Sequence, residues 1–222
     1  MTNIKDRLLT ATLGVFIALL VITFSIGLPI YFRPFYYMQI EPLDIPARTG
    51  FDYETVKSSY DELLDYLTIP GREFSTGAFA HSESGKSHFE DCKVLFDLNA
   101  TVLVISLAAV VILKILEKRK VFVASRPFGL DVTFSVGVFT LLFFAVLGLL
   151  VASNFQVAFT VFHTIFFPGK DNWIFDYRTD PIIGAMPQAF FMNCAILIVS
   201  SILLLTVALI VFALIKRKIK IK

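Results

Sequence analysis

Four apolar runs divide the chain, each long enough to cross roughly 30 Å of hydrocarbon as a helix of about 20 residues. They cover residues 8–30, 94–116, 128–152 and 189–215. The polar stretches between them are unequal. Residues 31–93 are enough for a small cap, 153–188 form a second, shorter segment, and the connection after the second run is short and basic. The pattern predicts an all-α membrane protein, a single membrane domain over residues 1–222. Its core is a four-helix transmembrane bundle, with a small extracytoplasmic cap that is helical with room for short strands.

Orientation follows from the lysines and arginines. Lys5, Arg7, Lys114, Lys118, Arg119, Lys120 and Arg126 fall on one side, with Lys216, Arg217, Lys218, Lys220 and Lys222 in the tail. The other side holds fewer cations in far more chain, so both termini are expected in the cytoplasm. The first run has a basic lead-in but is too long for a signal-peptide core, which predicts an uncleaved signal anchor. No lipobox cysteine follows it, so the chain is not expected to be a lipoprotein itself.

Within the long segment, Val56, Tyr60, Leu63, Leu64 and Leu67 recur at helical spacing, predicting an amphipathic helix over 51–67 that Pro70-Gly71 stops. Residues 72–79 are expected as a short strand or hairpin arm, and 82–93 as a helical lead-in to the second span. In the shorter segment, 154–167 is nearly all apolar except for Gln156, Thr160, His163 and Thr164, a polar stripe at helical spacing. Phe155, Phe159, Phe162 and Phe166 are placed on another face. This stretch fits either a continuation of the third span or a helix lying in the interface. Pro168-Gly169 end it, and Trp173, Phe175 and Tyr177 fall where an aromatic belt is expected.

Composition agrees. Hydrophobic residues make up 56% of the 222, above the roughly 45–50% of soluble domains. The formal net charge of +2 gives a nucleic-acid partner little support. Cys92 and Cys194 both fall near outer ends of spans, where a bridge is geometrically allowed, but the preferred reading is two unpaired small apolar residues.

The candidate chemistry is sparse and one-sided. His81, His88 and His163 all fall on the outer side, and imidazole is the side chain suited to taking and returning protons near neutrality. His88 and Asp91 are i and i+3, one helical face, where the carboxylate would hold the ring in one tautomer. Lys93 and Asp97 are i and i+4, spaced for an ion pair. No Gly-x-Ser-x-Gly elbow and no phosphate-binding loop occurs, which disfavours serine-nucleophile chemistry and nucleotide hydrolysis. Two other readings stay open on residues alone: a non-enzymatic membrane protein whose cap binds an envelope partner, and a metal-dependent membrane hydrolase using the three histidines.

Ser82-Glu83-x4-His88-Phe89-x-Asp91-x-Lys93, leading into a span, resembles the first signature of the lipoprotein intramolecular transacylases. Phe162-His163-x2-Phe166-Phe167-Pro168-Gly169-x2-Asn172-Trp173-x-Phe175 resembles the second, continued by Asp180-Pro181, Pro187 and Phe190-Phe191. One departure is visible: Gly85-Lys86 stands where that family is expected to carry an acidic and an aliphatic residue. The resemblance implies an acyltransferase that moves the sn-2 acyl chain of an S-diacylglyceryl group onto the α-amino group of the same N-terminal cysteine. It implies a diacylglyceryl-modified bacterial lipoprotein as substrate, membrane lipid as surroundings, and no nucleic acid. It maps two catalytic histidines onto His88 and His163. Around these, Asp91 and Lys93 are expected in support, and Phe159, Phe162, Phe166 and Trp173 as acyl-chain contacts. No metal and no organic cofactor is expected, and the chain is expected to act as a monomer in the bacterial plasma membrane with its active site outside.

Overall fold

A computed structural model describes residues 3–126 and 129–221. Phe128, the expected first residue of the third span, lies outside the described residues. Among those described, the secondary structure is helical throughout, with no strand. Four helices are long and apolar enough to cross a membrane: α1 (Ile4–Tyr31), α5 (Glu83–Lys118), α6 (Val132–Ser153) and α9 (Gln188–Ile221). Between them lie α2 (Pro34–Ile40), α3 (Ile45–Thr49), α4 (Tyr53–Thr68), α7 (Phe155–Phe166) and α8 (Ile182–Ala185). The chain divides into two compact units.

The first unit comprises Met1–Ile26, Asn99–Leu149 and Ile198–Lys222. Leu13, Ile17, Leu113, Phe122 and Val132 form its buried cluster. Helices approach closely where side chains are small, as membrane packing favours. A Cβ on Gly137 would lie 2.8 Å from Ile210 and 3.2 Å from the Thr206 carbonyl oxygen. Two polar pairs cross between helices inside this unit: the Ser25 and Ser201 hydroxyls are 3.0 Å apart, and Asn99 Nδ2 donates to the Thr23 carbonyl. At one end, Asp6 and Thr10 accept the backbone N–H groups of Val123 and Ser125, tying down the loop after α5.

The second unit comprises Gly27–Leu98 and Leu150–Leu197. Its core is aromatic: Tyr36 stacks on Tyr60 at 3.6 Å between ring centres, and Phe190 meets both edge-on. The buried Tyr36 hydroxyl donates to the Ala185 carbonyl at 2.8 Å, which satisfies its polar end. Helix α4 forms as the apolar spacing predicts, capped by Asp52, whose carboxylate accepts the Thr55 N–H. Its polar side carries Asp61 and Asp65, both paired with Arg33.

The strand expected over 72–79 is absent. Residues 72–79 instead form a turn-rich loop lying flush on α4. The Ala78 N–H donates to Ser59 Oγ, and Thr76 Oγ1 donates to the Phe79 carbonyl. Gly77, at φ +59, has its Cα so close to Ser59 that a Cβ would fall 2.5 Å from the hydroxyl oxygen. Among the described residues there is no strand to pair with this segment, and a lone strand is not stable.

Candidate active site

The lead-in at 82–93 is helical from Glu83 and continuous with the span that follows, all as α5. Thirty-six residues at 1.5 Å each extend about 54 Å, against roughly 30 Å of hydrocarbon. The apolar run of α5 begins at Val94, after the turns that bear His88, Asp91 and Cys92. Ser82 caps this end: its hydroxyl oxygen accepts the Gly85 N–H. Asp180, arriving from the distant segment before α8, accepts the Ser82 N–H at 2.8 Å, the Ser82 hydroxyl at 2.7 Å and the Thr179 hydroxyl at 2.6 Å. A carboxylate suits a helix N-terminus, whose orphan N–H groups and dipole favour negative charge. These bonds hold its pKa below the ordinary carboxylate value although burial pushes the other way.

Helix α7 is separate from α6. Asn154 breaks the helix and caps the next one, its side-chain oxygen accepting the Val157 N–H. The polar stripe expected on α7 does not form a face turned inward. Thr160 and Thr164 are exposed, and their hydroxyls donate to carbonyls four residues back. The buried residue of this helix is His163. Phe159 lies on its side, while Phe162 and Phe166 are exposed.

The two histidines share one site. The His88 and His163 rings are 5.9 Å apart between centres, and each residue is 6% exposed. Aromatic side chains enclose them. Phe167 and Phe175 meet the His88 ring edge-on at 4.9 and 5.5 Å. Trp173 stacks on His163 at 4.4 Å, with Phe159 at 4.2 Å and Phe162 at 5.4 Å. Burial is the main reason that both imidazoles are held below their ordinary pKa. For His88, pushed down to about 4, the neighbouring His163 adds to the effect, while Asp91 and the Asn172 carboxamide oppose it. For His163 the Phe159 carbonyl opposes it. Both shifts favour the neutral ring.

The hydrogen bonds discriminate between the rings. His163 Nδ1 lies 2.7 Å from the Phe159 carbonyl oxygen. A carbonyl only accepts, so Nδ1 carries the proton and Nε2 holds the lone pair. His88 Nε2 faces the Cys92 sulfur at 3.4 Å, while its Nδ1 is buried without a partner. Burial pushes the Cys92 thiol up to about 12, so it is protonated.

Asp91 does not hydrogen-bond His88. Lys170 and the Asn172 amide capture its two oxygens from the loop after α7. The pair spacing on α5 brings Asp91 near the ring, but partners distant in sequence take its lone pairs. That loop turns at Gly169, with φ +74, and the Trp173 indole N–H closes it by donating to the Lys170 carbonyl. Asp91 thus anchors the segment that delivers Asn172 and Trp173. Lys93 points elsewhere, donating to the Tyr66 carbonyl at 2.9 Å and pairing with Asp97 at 3.7 Å.

His81 is occupied elsewhere, with its Nδ1 3.2 Å from Thr76 Oγ1 and its ring edge-on to Phe74. Among the described residues, no three His, Cys, Asp or Glu side chains are disposed to hold a metal ion. Cys92 and Cys194 are both free thiols. Sequence reasoning passed over Cys92, Asn172, Lys170 and Asp180 as parts of this site. The signals were the i, i+4 spacing of His88 and Cys92 and the position of Asn172 inside the second motif.

Four apolar spans with a buried histidine pair held by motif residues define a multi-pass integral membrane protein with a two-histidine site. The family model described as lipoprotein intramolecular transacylase Lit matches residues 11–191, and the chain belongs to that family. It is accordingly a membrane acyltransferase with a lipoprotein substrate. A solved in meso structure of the membrane integral lipoprotein intramolecular transacylase Lit from Bacillus cereus is 27% identical. The two agree with a TM-score of 0.85 over 97% of this chain and 98% of that one. Two structures of the same Bacillus cereus protein, with a histidine replaced by arginine or by alanine, give TM-scores of 0.78. No curated protein matched the chain.

Proposed function

We propose that His88 and His163 carry out an O-to-N transfer of the sn-2 acyl chain within the S-diacylglyceryl cysteine at a lipoprotein N-terminus. The product is the N-acyl, S-monoacylglyceryl (lyso) form. The observation that carries this reading is the juxtaposition of two buried, neutral imidazoles, one with its tautomer set by a backbone carbonyl.

His163 is the base. Its Nε2 takes a proton from the α-amine as the amine nitrogen bonds to the ester carbonyl carbon. It returns that proton to the glyceryl oxygen as the carbon–oxygen bond breaks, so the protons balance within the step. Such catalysis contributes roughly 10²–10⁴-fold. The amine has an ordinary pKa of about 7.7–8.0, so roughly a tenth to a sixth of it is already neutral at pH 7. His88 acts as a neutral hydrogen-bond donor. With the Cys92 thiol donating to Nε2, the ring proton sits on Nδ1, beside the Asn172 carboxamide, from where it serves the developing oxyanion. Asn172 Oδ1 is also buried without a partner, and it is complementary to an amine N–H. Nucleophile and ester belong to one molecule, so holding a folded conformer is the larger part of the task, worth up to about 7–11 kcal/mol. Phe159 and Trp173 wall the base from water, while the exposed Phe162 and Phe166 offer apolar surface to the acyl chains. Asp91 braces the loop carrying Asn172 and Trp173, and Lys93 ties α5 to the end of α4. The lysine and arginine bias supports termini in the cytoplasm and the histidine pair on the extracytoplasmic side.

The test is single substitution of His88 and His163 by Ala, with the N-terminal peptide of a diacylglyceryl lipoprotein followed by mass spectrometry. Each change is expected to lower lyso-product formation by at least about 100-fold. Product at the wild-type rate in either variant would refute the mechanism.

A further inference from the structure

The first unit contains a cavity that the histidine chemistry does not use. It lies between the start of α6 and the end of α9 and has a volume of about 500 Å³. That falls within the roughly 300–1,000 Å³ of ordinary small-molecule sites. Arg126, Lys216 and Arg217 line it together with Phe134 and Leu214. None of these three cations is ion-paired with a carboxylate among the described residues. The cavity's one acidic lining residue, Asp131, has Oδ1 engaged as the cap of α6, accepting the Thr133 N–H at 2.9 Å. Three cations without a carboxylate partner among the described residues, beside Phe134 and Leu214 at one end of two membrane-spanning helices, match a molecule that is anionic at its head and apolar just beyond it.

We propose that this cavity binds the phosphodiester headgroup of an anionic phospholipid, with Arg126, Lys216 and Arg217 as its charge partners and Phe134 and Leu214 against the glycerol and first acyl carbons. Basic pockets between transmembrane helices are a recurring mode of headgroup recognition. In the orientation proposed above, the lipid comes from the inner leaflet. The site is remote in sequence from the histidine motifs, and its occupancy is measured without reference to catalysis.

Native mass spectrometry of the purified protein in detergent, titrated with phosphatidylglycerol, measures the binding. Each cation near a charged lipid surface is worth about 1 kcal/mol, so each single Gln substitution is expected to weaken binding about fivefold. R126Q/K216Q/R217Q together should weaken it about a hundredfold. A control, K118Q/R119Q/K120Q, removes three cations that do not line the cavity and is expected to leave the affinity within about twofold. Phosphatidylcholine is expected not to bind. Equal loss in both triple variants would assign the binding to diffuse surface charge and overturn the proposal. Competition by inorganic phosphate at concentrations equal to the lipid would show that free phosphate is the ligand, and would overturn it too. Should the triple variant fail to fold, the three single variants against single control substitutions decide the same question.

Discussion

Gly85 is where this chain departs from the pattern expected of its family, and the structure gives that departure a cost that can be measured. A Cβ at this position would lie 2.1 Å from Asp180 Oδ1, 2.9 Å from its Cγ and 3.0 Å from the Phe175 ring. Ordinary contact begins at 3.4 Å, so the carboxylate would have to retreat by about 1.3 Å. It would then lose bonds from the Ser82 N–H and hydroxyl, each worth about 1.5–3 kcal/mol to a charged group. Alanine is otherwise the better helix residue by about 1 kcal/mol, which offsets part of the loss. Gly85→Ala is therefore expected to destabilise the protein by about 2–5 kcal/mol and to loosen Phe175 against His88. Trp173 is the chain's one tryptophan and stacks on His163, so its fluorescence during unfolding in mixed detergent micelles reports on the site. The decisive comparison is a double-mutant cycle. With Asp180→Ala already in place, Gly85→Ala has room on that side and is expected to be neutral or slightly stabilising. Wild-type stability in Gly85→Ala, or the same loss with and without Asp180, would refute the reasoning.

Two further outcomes follow from the site. His163 must be neutral to act as base, and burial holds its pKa below the ordinary 6.5. The histidine limb of the pH–rate profile is thus expected below pH 6.5, with the rate between pH 6.5 and 8 following the amine's ionisation. A histidine limb at or above 7 in single-turnover rates contradicts this. Asn172→Ala removes the brace on Asp91 and the carboxamide beside His88, and is expected to slow acyl transfer about 10–100-fold, as loss of a charge-assisted bond does. An unchanged single-turnover rate would remove Asn172 from the mechanism.

The spans were legible because a run of 20 apolar residues has few alternatives to a membrane helix. Helix α4 was legible because its apolar spacing is local. What escaped was built from long-range partners. Arg33 finds Asp61 and Asp65, and Asp91 finds Lys170 and Asn172, across stretches that no periodicity links. Helices α2 and α3 are too short for a periodic signal, although each carries proline at its first turn. Helix α7 was legible as a helix but not in its facing: a threonine satisfied by its own helix needs no polar neighbour, so the stripe carried no information on where the helix turns. Both histidine motifs were visible, but their meeting as one site belongs to the fold.

The proton on His163 is placed by a main-chain atom. Every amino acid at position 159 supplies the same carbonyl, so point mutation cannot delete the group that sets the tautomer; only breaking the helix would. The side chains around the base are therefore free to diverge while its chemistry is inherited unchanged. Descendants of this chain could re-tailor the walls of the site for different acyl chains without first having to reinvent the base.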